Sequence, residues 1–184
     1  MISIYVDADA SPVVNEAVRV ARRYGLKVYL VSNSKRKFPE DRLVEPVVVS
    51  DRMDAADDWI VDHITRTDVA VTADIPLASR CLKKGARVLD PKGRVFTDDS
   101  IGSVLANRDI MAFLRDLGEM TGGSSPYNKQ DRSRFLQRLD DLIQAIRKEE
   151  RQRTGEKTTL VGGSSPTWAK EPAQAILSSE QAEG

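Results

Sequence analysis

Residues 1–90 alternate short runs of β-branched side chains with runs of helical character, and this alternation is what most narrows the fold. Successive βαβ units bury both faces of a parallel sheet, so the strands read as nearly continuous apolar runs rather than as alternating ones. Ile2–Val6, Lys27–Val31, Val44–Val49, Asp68–Thr72 and Arg87–Leu89 fit that description. Between them, Ser11 and Pro12 predict a helix start and Gly25 its stop. Asp54 predicts the cap of a second helix running to Ile64, and Pro76 opens a third that Gly85 closes. Right-handed crossovers winding outward from the first strand and then returning predict the order 3-2-1-4-5. The expected architecture is therefore a three-layer α/β fold with a mostly parallel sheet.

The rhythm changes after Pro91. A Lys92-Gly93 turn leads into a short Arg94–Phe96 run, and Asp98 or Asp99 is expected to cap a helix reaching Leu117. Next comes a Gly122–Pro126 loop. Lys129–Glu150 then carries Phe135, Leu139, Leu142, Ile143 and Ile146 at helical spacing, which predicts a helix with one packed face. Residues 1–150 are thus expected to form one domain with a C-terminal helical extension. From Arg151 apolar residues thin out, and composition predicts a disordered tail over 151–184. The loop pentamer recurs as Gly162–Pro166, but two copies do not make a structural repeat.

Charge gives no global steer. The 28 basic and 28 acidic residues cancel, so any electrostatic specificity must be local. Cys81 is the single cysteine, which excludes an internal disulfide and a multi-thiolate metal site. With no segment of membrane-spanning length, the expectation is a cytoplasmic protein with no membrane association.

Local specificity points to two places. Val6-Asp7-Ala8-Asp9-Ala10-Ser11-Pro12 and Thr72-Ala73-Asp74-Ile75-Pro76 each put a carboxylate between an apolar strand and a helix that begins near a proline. Open parallel sheets bind ligands at this edge, and the expected order makes strands 1 and 4 neighbours. Asp7, Asp9 and Asp74 would converge there as catalytic carboxylates, and acids that close favour a cation among them. Oxygen-only donors favour Mg²⁺ or Mn²⁺. Asp57 or Asp58, at the start of the second helix, could complete the set. The simpler reading is that aspartates before helices are N-caps, and for Asp54 that reading is kept. His63 reads as a surface or packing residue and Cys81 as a core residue. Lys35, Arg36 and Lys37 follow strand 2 at the same edge, and with Ser11, Ser32 and Asn33 they form a set of candidate phosphate contacts, although a basic loop is commonly just solvated.

Four stretches together, VDADASPV, VTADIPLA, KGARVLDPKG and TGGSSPYNKQDRSRF, resemble the YaiI/YqxD family of bacterial proteins across Met1–Ile146. That resemblance implies a PIN-like domain, a fold similar to that of metal-dependent ribonucleases, with Mg²⁺ or Mn²⁺ held by Asp7, Asp57 and Asp74 and with Asp9 adjacent. RNA is the default substrate by analogy with PIN-like enzymes. The family's first motif usually has cysteine where this chain has Ser11, so a thiol-based mechanism is not carried over.

Three functions compete. In the first, a metal-dependent phosphodiester hydrolase uses the strand-end acids. The second is a phosphatase of the haloacid-dehalogenase type, suggested by the Asp7-Ala8-Asp9 spacing, with Asp7 as nucleophile and Asp9 as general acid. The third is a non-catalytic module that binds RNA or a partner through its basic loop and C-terminal helix.

Overall fold

A computed structural model describes residues 1–9, 11–104, 106 and 126–161. The chain divides into two units, 1–147 and 148–184. In the first, strands β1 (Ser3–Asp7), β2 (Lys27–Ser32), β3 (Val44–Val48), β4 (Val69–Val71), β5 (Arg87–Leu89) and β6 (Val95–Phe96) form one sheet in the order β3-β2-β1-β4-β5-β6. The first five are parallel, in the expected order. The sixth pairs antiparallel with β5 across the Lys92-Gly93 turn. That pairing needs only a tight turn, and a two-residue strand leaves almost no periodicity to read in sequence.

Alternation along the central strands sorts the core into two. Ile4, Val6, Val28, Leu30, Val69, Val71 and Leu89 face one side, where helix α1 (Val14–Tyr24) packs with Phe135, Leu139, Ile143 and Ile146 of helix α4 (Lys129–Val161). Tyr5, Val31, Ala70 and Val88 face the other, against α2 (Ala55–His63) and α3 (Ile75–Lys83). Both faces are covered, as an all-apolar strand requires. Gly25 closes α1 at φ +66°, in the left-handed region expected of a C-terminal glycine.

Several helix starts differ from expectation. Ser11 does not cap α1: the residue before the helix is Val13, which makes no side-chain cap bond. Pro12 sits in the preceding turn rather than inside the helix. Asp54 occupies the N-cap position of α2 but at φ 61°, with no side-chain cap bond; its carbonyl accepts from the Asp58 N–H at 2.8 Å instead. At residues 98–104 the helical segment is opened by Thr97, not by Asp98 or Asp99. Thr97 Oγ1 accepts from the Ser100 N–H at 3.2 Å and Ser100 Oγ accepts from the Thr97 N–H at 2.9 Å, a reciprocal cap that leaves the two acids in the first turn. The expected continuation of this helix to Leu117, the Gly122–Ser125 part of the loop and the second pentamer lie outside the described residues.

Helix α4 starts where its spacing predicts. Asn128 Oδ1 accepts from the N–H groups of Gln130 (2.8 Å) and Asp131 (3.0 Å), while Asp131 Oδ2 accepts from the Asn128 N–H at 3.2 Å. It continues past Glu150 to Val161, so residues 151–161 are helical where composition predicts disorder. Arg151, Gln152 and Arg153 are all good helix formers, and the first strongly unfavourable position is Gly155.

Candidate functional site

The sheet register builds the site. Val6 lies opposite Val71, so the next residue on each strand, Asp7 and Thr72, meet at the tips of β1 and β4. Thr72 Oγ1 donates to Asp7 Oδ2 at 3.1 Å and accepts from the Asp74 N–H at 3.0 Å. Asp7 is 8% exposed and Thr72 1%. This hydroxyl ties the two acidic segments together, although sequence alone does not single it out. The one available signal is a hydroxyl two residues before Asp74 in an otherwise apolar strand.

Asp74 is also the N-cap of α3: its Oδ1 accepts from the Leu77 N–H at 2.8 Å, with Pro76 in the first turn. The capping and site readings therefore coexist, with one oxygen committed to the helix. Asp57 comes from the first turn of α2, half-buried, and feels the charges of both Asp74 and Asp7. Its carboxyl is pushed up to about 6, by burial first and then by Asp74, Asp7 and Asp54, against a lowering effect of Arg80. Burial also raises Asp7 above the usual carboxylate range, with the Thr72 bond opposing and Asp9 and Asp74 adding to the rise. Asp58 is separate: it bridges Arg80 (2.7 Å) and Arg52 (2.8 Å), which hold it low. Three acids from three elements are thus within electrostatic reach of each other. Among the described residues, however, no three of His, Cys, Asp and Glu are drawn tightly enough together to hold an ion.

Asp9 turns toward the end of β2. Its Oδ2 accepts from the Asn33 N–H at 2.7 Å and its Oδ1 lies 3.6 Å from Arg36, which also donates to the Ala8 carbonyl. Asn33 and Arg36 therefore brace the Asp7–Asp9 loop. Ser32 is fully buried and its hydroxyl donates to the Ser34 carbonyl at 2.7 Å. Lys35 and Lys37 are exposed on the loop. Ser11 Oγ is buried and has no hydrogen-bond partner among the described residues. His63 stacks on Trp59 at 3.9 Å between ring centroids, and Cys81 is a core thiol that burial pushes up to about 12. Cys81 is the core residue the sequence suggests, and His63 lies exposed on α2 against Trp59.

The family described as "Uncharacterized BCR, YaiI/YqxD family" matches residues 5–145. A UPF0178 protein of Rhodospirillum centenum is 52% identical over 152 residues, covering 80% of this chain and 99% of that protein. One from Parvibaculum lavamentivorans is 53% identical over 148 residues, covering 80% and 97%. A third, from Rhodospirillum rubrum, is 49% identical, covering 79% and 97%. No solved structure matches the chain. Among the described residues no helix is long and apolar enough to cross a membrane. The matched region contains β1 from Tyr5 onward, strands β2 to β6, both acidic strand ends and the packed face of α4 up to Ala145, and on that extent of likeness the chain belongs to the YaiI/YqxD family.

Proposed function

We propose that this protein is a metal-dependent phosphodiester hydrolase acting on RNA, with its reaction centre at the C-terminal tips of β1 and β4. The observation that carries the reading is the Asp7–Thr72–Asp74 connection at the centre of the sheet, where an open α/β fold places its ligands, with Asp57 brought to the same edge by α2. The resemblance to PIN-like ribonucleases supports RNA as substrate.

The donor chemistry fits Mg²⁺ or Mn²⁺. All three side chains offer carboxylate oxygens, and their mutual repulsion and burial are what a divalent cation would relieve. Asp7, Asp57 and Asp74 would hold the ion, with Asp57 and the uncapped oxygen of Asp74 moving inward to do so. The ion would supply Lewis acidity, to neutralise charge at phosphorus and acidify water. The protein's own part is positional. Thr72 bonds Asp7, the Leu77 N–H holds Asp74, and Asn33 and Arg36 hold Asp9, which would orient the attacking water.

Asp7→Asn tests this. It is expected to abolish Mn²⁺-dependent RNA cleavage while leaving the thermal midpoint in chelator at or above wild type, since a buried charge is removed and the shape is kept. Cleavage retained by the purified variant removes Asp7 from the centre. The phosphatase alternative requires a phospho-aspartate at Asp7, and a beryllofluoride adduct there would favour it instead.

A further inference from the structure

Beside the acidic edge, a cleft of about 610 Å³ opens between the start of α1, the β5–β6 turn and the start of α4. Its walls have the opposite character from the acids. Among the described residues, Lys92, Arg94 and Arg134 line it with a single carboxylate, Asp90. That carboxylate is spent on the turn: Asp90 Oδ1 accepts from the N–H groups of Lys92 and Arg94, both at 2.8 Å. The guanidinium groups are held only loosely by local acids, Arg94 at 3.4 Å from Asp90 and Arg134 at 3.5 Å from Asp131, and each side chain is more than half exposed. Arg94 also lies over the Phe96 ring at 4.8 Å, which fixes its direction. Tyr127 lines the same cleft, and its hydroxyl is buried with no hydrogen-bond partner among the described residues. A buried hydroxyl without a partner costs stability unless something completes it.

Ala73, which separates Thr72 from Asp74 in the chain, lies in the cleft wall, so the basic cleft borders the acidic end of β4. A chain of phosphates is the ligand whose charge suits both halves: one phosphate against the cations, the neighbouring linkage against the acids. We infer that this cleft seats a phosphate of a single nucleic-acid strand adjacent to the linkage at Asp7 and Asp74, with Lys92, Arg94 and Arg134 as its cations and the Tyr127 hydroxyl as a donor. The choice of a nucleic-acid strand rests on the hydrolase reading above. The anion site itself rests on the cleft.

The test is binding without turnover. Fluorescence anisotropy of a labelled single-stranded RNA, with EDTA present and KCl varied, compares wild type with Lys92→Gln/Arg94→Gln, Tyr127→Phe and Asp7→Asn. The double variant keeps the backbone N–H groups that bond Asp90, so the turn survives. It is expected to bind at least about tenfold more weakly, with the salt slope reduced by about 1. Tyr127→Phe is expected to weaken binding severalfold with an equal or higher thermal midpoint. Asp7→Asn is expected to bind at least as well as wild type, because a negative charge is removed. Unchanged affinity and slope in the double variant would overturn the proposal, as would no binding by wild type, or loss confined to a Lys35→Gln/Lys37→Gln control. Full competition by AMP at equimolar concentration would overturn the strand in favour of a mononucleotide. RNA bound in this manner but never cleaved with Mn²⁺ sinks the hydrolase alone; cleavage unaffected by the cleft variants sinks the cleft alone.

Discussion

Asp57 shows how one side chain's environment carries both stability and function. Its carboxyl sits near 6 in the folded protein against an ordinary value of 3.8, so between about pH 4 and 6 the native state holds more protons than the unfolded chain. Stability contributed by this group is complete below the unfolded value and is lost as pH rises through 6. Asp57→Asn should therefore raise the thermal midpoint at pH 7 in chelator and leave it nearly unchanged at pH 4. Equal shifts at both pH values, or a lower midpoint at pH 7, would contradict the assignment. Adding Mn²⁺ at pH 7 should narrow the gap by stabilising wild type more than the variant. Single residues are also where sequence was least informative. Asp7 and Asp74 were legible because a carboxylate that ends an apolar strand is costly to bury and so marks a place where charge is used. Thr72 and Tyr127 were not, because a hydroxyl's role depends on what it meets across the sheet or in a cleft. Ser11 resembles a cap in sequence only because Pro12 in a turn and Pro12 in a first helical position look alike there.

Among the elements, the β5–β6 turn and α4 are the most closely interdependent. Gly93 adopts φ +82°, and a Cβ there would lie 2.8 Å from backbone atoms of Arg134 and Phe135. Backbone cannot step aside as a flexible side chain can, so Gly93→Ala is expected to cost roughly 1–3 kcal/mol, from overpacking and from the left-handed conformation together. Urea unfolding measures this; a cost under about 0.5 kcal/mol would mean that α4 can slide away from the turn. Because the turn also carries Lys92, the same variant should weaken anion binding. The packed face of α4 was readable from Phe135, Leu139, Ile143 and Ile146, whose spacing keeps them on one stripe, and all four are buried. What that stripe packs against was not readable. Its junction with α1 is completed by polar contacts: Arg132 with the buried Glu16 at 2.6 Å, and Tyr24 and Arg23 with Asp140 at 2.9 and 2.8 Å.

At the scale of the whole molecule, the compact unit ends at Arg147 and the family match at residue 145, close together on α4. A chain ending at Glu150 keeps Arg147, which donates to the Tyr24 carbonyl at 2.8 Å and lies over its ring. It is expected to unfold cooperatively with a midpoint within a few degrees of the full chain; a large drop would show that residues beyond 150 stabilise the first unit. The five parallel strands, their order, the helices between them and the two acidic strand ends were all legible in the amino-acid sequence. Those features follow from local periodicity, turn chemistry and the handedness of crossovers, which act over short stretches of chain. Which groups meet was settled by the folded arrangement alone: Thr72 between Asp7 and Asp74, Asp58 paired with Arg52 and Arg80, and a cleft assembled from residues 92, 94, 127 and 134. Such meetings depend on register and packing between segments distant in sequence, and no local pattern of residues encodes them.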